Sequence, residues 1–180
     1  MVFWKSIVDM TVSKALSQEP PDITRPSRSS VLRTVGIYLG ATAVANLIWE
    51  SLQLPLYTIW TTGTVREIAF AVMHCTVGDV LIASGALFLA IIVGRCWSWP
   101  LNNWTRVTAL TIVFGVGYTA FSEWLNIYVR HVWAYAHMMP VFRIGRIDLG
   151  LSPLAQWLVV PSVALVFVKW RLSRVLKYDD

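Results

Sequence analysis

The sequence predicts an all-α integral membrane bundle of about four transmembrane helices, with an amino-terminal amphipathic helix on the membrane surface and both termini cytoplasmic. Three observations point there. Of 180 residues, 56% are hydrophobic and only 14% charged, against about 25% charged in an ordinary soluble domain. Four apolar runs, at 33 to 54, 68 to 93, 107 to 128 and 153 to 170, are each long enough to cross roughly 30 Å of hydrocarbon. The basic residues gather beside the ends of these runs rather than within them, where topology signals and anionic headgroups account for them. The formal charge of +5 is thus read as a membrane feature, and no nucleic-acid partner is expected.

From the amino terminus, residues 3 to 16 set Phe3, Trp4, Ile7, Val8, Val12, Ala15 and Leu16 against Lys5, Ser6, Asp9, Ser13 and Lys14. That is an amphipathic helix too polar to span, without the uninterrupted apolar core of a signal peptide, and it is expected to lie on the bilayer. Pro, Ser and charge dominate 17 to 31, which reads as a linker. The expected organisation is a surface helix and linker over 1–31, a four-helix membrane domain over 32–172 and a cytoplasmic tail over 173–180.

Counting Lys and Arg sets the orientation. With the amino terminus inside, Lys5, Lys14, Arg25, Arg28, Arg33, Arg95, Arg106, Lys169, Arg171, Arg174 and Lys177 fall on the cytoplasmic side. Only Arg66, Arg130, Arg143 and Arg146 fall outside, so a bacterial inner-membrane protein with both ends inside is expected. Trp60 on the outer side and Trp97, Trp99, Trp104 and Trp170 on the inner fall at the expected interfaces. Gly36 and Gly40 have GxxxG spacing, and Gly115 and Gly117 sit in the third run. Such residues let helices approach closely, within the monomer or in a homo- or hetero-oligomer. Cys75 and Cys96, 21 residues apart, would be roughly 30 Å apart along one helix and could not form a disulfide.

Polar residues inside the runs segregate by depth. Asn46, Glu50 and Gln53 share one helical face in the outer third of the first span. The second span descends, so His74 and Cys75 lie in the outer half and Asp79 near the middle. The third presents Ser122, Glu123 and Asn126 near its outer end, and the fourth begins with Ser152 and Gln156. All four spans thus bring polar groups to one half of the bilayer, while the inner halves read as apolar. Ionisable groups are costly in hydrocarbon and mark candidate sites. The expectation is a polar cavity in the extracytoplasmic half. Over it hangs 130 to 151, aromatic and basic, read as an interfacial helix or lid that Pro140 and Gly145 would interrupt.

Glu50, Asp79, Glu123 and His74 are the candidate catalytic residues. Three carboxyls in one poorly hydrated cavity cannot all ionise cheaply, so at least one is expected to keep its proton, as a general acid requires. Asn46, Trp49, Gln53, Ser122, Asn126, Trp133, Tyr135 and Gln156 are the candidate ligand-binding residues. The competing reading pairs Asp79 with His74 and Glu123 with Arg130 as interhelical glue. No metal-ligand spacing is recognisable, and adjacent His74 and Cys75 point about 100° apart, so neither a metal site nor a Cys–His nucleophile is expected. No cofactor is indicated.

The stretch Asn46-Leu47-Ile48-Trp49-Glu50 resembles the Asn-x-x-Trp-Glu helix segment of the small integral membrane terpene cyclases, in which a helix-borne acid protonates a polyprenyl substrate. That resemblance implies acid chemistry on Glu50. The run from His74 to Ala83, HCTVGDVLIA, is similar to uncharacterised small bacterial polytopic membrane proteins. The leading expectation is a cavity that binds a hydrophobic or amphipathic small molecule among membrane lipids and performs cyclase- or isomerase-like acid–base chemistry. The alternatives are a non-catalytic assembly subunit, a small transporter or a metal-binding membrane protein.

Overall fold

The computed structural model describes residues 25–176. The expected surface helix at 3 to 16 lies outside the described residues. Four long helices make up most of the chain: α1 (Arg28–Gln53), α2 (Val65–Val93), α3 (Trp104–Trp124) and α4 (Leu151–Leu176). Ser27 caps α1, its Oγ accepting from Ser30 N at 3.2 Å, so the helix begins inside the stretch read as linker. Thr64 and Glu67 cap α2 reciprocally: Thr64 Oγ1 accepts from Glu67 N, and Glu67 Oε2 accepts from Thr64 N at 2.8 Å.

Each helix packs against two others, giving the ring α1–α2–α3–α4. Segments Arg28–Leu56, Val65–Val93 and Leu151–Arg174 are long and apolar enough to cross a membrane, which is compatible with a multi-pass membrane protein. With 21 residues, α3 is about 31 Å long. Thr111, Gly115, Thr119 and Glu123 on its buried face dilute its apolar character.

Side chains are distributed inside out relative to a soluble protein. Val44, Ile48, Leu52, Phe88, Val113, Val163 and Val166 face outward. The buried face of α1, by contrast, reads Thr34, Tyr38, Thr42, Asn46, Glu50 and Gln53. Thr34 and Thr111 place their hydroxyls on the backbone carbonyls one turn back, at 2.7 and 2.8 Å. The inner half is therefore not purely apolar as expected from sequence: buried hydroxyls continue the polar line of α1 below the carboxyls. Around them, Ala83, Leu87 and Ala90 of α2, Val107 of α3 and Trp157, Leu165 and Val168 of α4 form the apolar core.

Two further expectations are corrected. Trp97, Trp60 and Trp170 are exposed, as interfacial indoles would be, but Trp99 is only 2% exposed. It plugs the inner end of the core, tilted against Trp104 at 5.5 Å. The stretch 130 to 151 holds no helix before Leu151. After a π-helical turn at Leu125–Val129 it runs into an antiparallel hairpin of β1 (Val141–Ile144) and β2 (Ile147–Gly150). Gly145 takes φ +61 in the two-residue turn, a left-handed conformation such hairpins require. The helix-breaking role given to that glycine is thus realised as a strand reversal.

Small residues divide by environment. Gly36 and Gly40 are exposed, with nothing within 4 Å of a Cβ built on either, so they pack against nothing within the monomer. Cys75 and Cys96 are both free thiols. Gly115 is different, because a Cβ there would lie 2.0 Å from Trp157 Cε3, whereas one on Gly117 would meet nothing within 4 Å. Gly115→Ala is therefore expected to destabilise the bundle by about 1–3 kcal/mol, the usual cost of overpacking, and Gly117→Ala to be neutral. Thermal unfolding in detergent distinguishes them, and equal melting of the two variants would refute the Trp157 contact.

Candidate functional site

The outer half of the bundle splays around a cavity of about 1030 Å³. Its origin is visible in α2: from Val65 to Ile82 only Thr76 is buried, whereas Ala83, Ala86, Leu87 and Ala90 all pack inward below. Small side chains there let α2 approach its neighbours closely at the inner end. Nothing comparable holds it above. Glu50, Gln53, His74, Cys75, Asp79, Ser122, Glu123, Asn126, Trp133 and Gln156 all line the cavity.

Gln156, in the second turn of α4, ties the floor together. Its Nε2 lies 2.8 Å from Asp79 Oδ2 on α2 and 3.0 Å from both Asn46 Oδ1 and Glu50 Oε1 on α1. Three acceptors crowd a nitrogen that carries two hydrogens. Gln53 Nε2 donates to the same Glu50 oxygen at 2.7 Å, and Ser152 Oγ donates to Gln53 Oε1 at 2.9 Å. Every donor to Glu50 is a neutral amide. Neither ion pair of the competing reading forms, because Arg143–Asp148 is the one salt bridge among the described residues.

Glu123 is held separately. The Tyr135 hydroxyl donates to Glu123 Oε2 and accepts from Gly150 N at 2.7 Å, joining α3 to the end of the hairpin. Burial first, and the neighbouring Glu123 carboxylate second, hold the Tyr135 phenol above its ordinary range, so it stays a donor. Tyr57 is raised by the same two causes in the same order, and its ring lies 5.8 Å from that of Tyr135. The loops carrying these tyrosines are stitched together over the cavity by Thr58 N to Ala134 O at 3.0 Å and Ala136 N to Leu56 O at 2.9 Å. Asn126 Nδ2 donates to Ser122 O and Oγ, at 2.9 and 3.1 Å, just where the π-helical turn begins. The buried indole N–H of Trp133 lies on the Glu123 side of the cavity, short of full hydrogen-bond geometry.

Not every candidate joins the cluster. His74 is exposed and stacks on Phe70 at 5.5 Å, at the cavity's outer edge and without a polar partner among the described residues. Asn46 lies beneath the cavity wall, on Gln156. Trp49 is half-buried away from the lining, and Tyr135 belongs to the roof rather than the wall. Conversely, Arg66, Tyr57, Gly78 and Trp157 line the cavity but are not among the residues expected there; Arg66 reads from the sequence only as an outer-side basic residue. They follow no polar periodicity, coming from α2, from α4 and from the loop after α1. Among the described residues, no group of three or more His, Cys, Asp or Glu side chains is placed to hold a metal ion.

Searches of protein-family models, curated proteins and solved structures found no match to this chain.

Two outcomes test the roof. Tyr135→Phe leaves both Glu123 and the Gly150 amide without their partner, at an expected cost of about 1–3 kcal/mol. Amide exchange over 147 to 150 should accelerate while that of the inner core does not, and unchanged exchange there would remove the hydroxyl from its structural role. In the hairpin, the two hydrogen bonds from Arg143, at 2.6 and 2.9 Å, hold the Asp148 carboxyl below the usual carboxylate range. The stabilisation is therefore present above the ordinary carboxyl pKa and lost as the pH falls through the depressed one. Titration of Asp148 by NMR should show that lowered midpoint, and Arg143→Gln should move it back up.

Proposed function

We propose that the chain is a four-span protein of the bacterial inner membrane, with both termini cytoplasmic, whose outer-half cavity binds a hydrophobic or amphipathic small molecule and transfers a proton to or from it. The supporting observation is the shared amide nitrogen of Gln156, which brings Glu50 and Asp79 together without a counter-charge. Two hydrogens cannot serve Asn46, Glu50 and Asp79 at once. A proton held by either carboxyl completes the set, because that carboxyl then donates as well as accepts. The pair so arranged holds one acid and one base side by side, which is what cyclase- or isomerase-like chemistry requires. Glu123, kept in place by Tyr135, adds a third acidic group on the facing wall.

A test follows from Gly78, which lines the cavity and has nothing within 4 Å of an added Cβ. Native mass spectrometry of the gently extracted protein should find a bound hydrophobic molecule, and Gly78→Leu should lose it while remaining folded. Glu50→Gln and Asp79→Asn should keep a ligand but in a different isomeric form, since removing a general acid or base slows turnover by about 100-fold or more. An identical ligand in wild type and both variants, or failure of both variants to fold, would instead assign these carboxyls to holding the helices together.

The reading as a non-catalytic assembly subunit has one observation in its favour: Gly36 and Gly40 lie open on the outer face of α1. Crosslinking from that face to a single stoichiometric partner, with no ligand in the cavity, would decide for it.

A further inference from the structure

The cavity is bounded unequally. On α1 and α4 its wall is made of inward residues such as Glu50, Gln53, Gln156 and Trp157, all buried. On α2 and α3 the same wall includes Phe70, Leu81 and Tyr118, which are 69%, 67% and 51% exposed on the outside of the bundle. A residue that lines the cavity and also faces outward stands at an opening, so the cavity opens sideways between α2 and α3. Leu81 lies fifteen residues beyond Arg66 along α2, about 22 Å at 1.5 Å per residue, so this side opening extends to the depth of the hydrocarbon.

The water-side rim of the same opening is basic. Arg66 at the start of α2 and Arg130 at the end of the π-helical turn both line the cavity. Neither has a carboxylate partner among the described residues, and Arg130 reaches only Asn126 Oδ1, at 3.5 Å. The nearby carboxylate of Glu67 is taken up by the Thr64 amide and hydroxyl, both at 2.8 Å. Two guanidinium groups thus border the same cavity as the outward-facing side chains of Phe70, Leu81 and Tyr118.

We infer that the ligand enters from the surrounding leaflet through the α2–α3 opening, as an amphiphile whose anionic, phosphate-like head group is held by Arg66 and Arg130 while its chain lies along Leu81 and Tyr118. Guanidinium groups suit a phosphate because they donate in a planar fork to two of its oxygens. This inference rests on the proposed ligand-binding cavity and specifies its occupant. With the head group at Arg130, Glu123 lies seven residues below, about 10 Å along the helix. The carboxyls then face the first part of the chain and not the head group.

The test uses the full chain in phosphatidylcholine vesicles doped with a phosphatidic acid that carries a diazirine in its acyl chain, or with phosphatidylcholine carrying the same diazirine. Mapped by mass spectrometry, adducts at Leu81 and Tyr118 should be several-fold more abundant with the phosphatidic acid. Arg66→Gln and Arg130→Gln should each reduce that excess by about fivefold, the weight of one interfacial arginine on an anionic lipid. Labelling of Leu158 and Val166, on the outer face of α4, should not discriminate between the probes. Equal labelling of Leu81 and Tyr118 by both probes overturns the inference. So does abolition of the preference by excess inorganic phosphate, which would assign the arginines to the free ion. Head-group selectivity without any altered ligand in Glu50→Gln removes the acid–base reading alone, and a ligand altered by Glu50→Gln without selectivity removes this inference alone.

Discussion

Everything in the outer half of this bundle depends on the side-chain amide of Gln156. It sits between a carboxyl on α1 and a carboxyl on α2, and is itself carried by α4, so one planar group holds three of the four helices. The polar contact is strong because the surroundings are poor in alternatives: an amide or carboxyl left without a partner in such a place costs several times what it would in water. The same scarcity makes the arrangement specific. A rotation of α1 or α2 by one residue would carry Glu50 or Asp79 away from the single nitrogen they share. The Asn46–Glu50–Gln53 face therefore sets the rotation of α1 more firmly than its apolar residues, which can exchange places against lipid at little cost.

That reasoning also explains which parts of the architecture were readable beforehand. Helical character and the depth of the polar groups follow from periodicity and from alternating direction, both of which are properties of the chain alone. Asn46, Glu50 and Gln53 share a face by arithmetic, and Gln156 enters at the same height because α4 begins there. Position around a helix relative to its neighbours is different, since it depends on packing. Depth alone admits both His74 and Asp79 to the cavity, yet the one stacks on Phe70 at the rim and the other reaches the floor. Trp99 reads as an interfacial indole from composition, but the turn after α2 folds it under the core. Trp49 is adjacent to Glu50 and turns away from it for the ordinary helical reason that neighbours diverge by about 100°. The hairpin at 141 to 150 escaped because two four-residue strands carry almost no periodic signal. Its one clear mark is Gly145, which breaks a helix and makes a tight turn equally well.

The division of α2 into a loosely packed outer half and a tightly packed inner half has a compositional basis. Ala83, Ala86 and Ala90 recur at helical spacing and permit close backbone approach, with Leu87 filling the space between them. Above Ile82 the same face continues through Asp79, Thr76 and Val72, of which only Thr76 is buried. The buried hydroxyls of Thr34, Tyr38, Thr42 and Thr111 do not open the inner half in the same way. Thr34 and Thr111 return their hydroxyls to their own helix and so are buried with little need for a partner across the interface, whereas the Tyr38 and Thr42 hydroxyls are buried without a hydrogen-bond partner among the described residues. Carboxyls and primary amides have too many sites to be satisfied locally, and they need either each other or a ligand.

The roof completes this argument. Backbone bonds between the loops at 54 to 62 and 131 to 139, and between Leu151 N and Pro140 O at 2.8 Å, span the water-facing end of the bundle. Tyr128 and Tyr135 anchor β2 to the end of α3. These are directional bonds, each requiring its partner in place, so the roof opens only when several break together. The side of the cavity has no such closure: Phe70, Leu81 and Tyr118 border it, Phe70 stacked on His74 and Tyr118 edge-on to Phe121, with no hydrogen bond among the described residues to hold them across the opening. Parting apolar side chains in a hydrocarbon medium exposes them to a solvent like themselves, at little free-energy cost. On the proposed reading, the path of least resistance into the carboxyl cluster therefore runs through this side opening rather than through the roof.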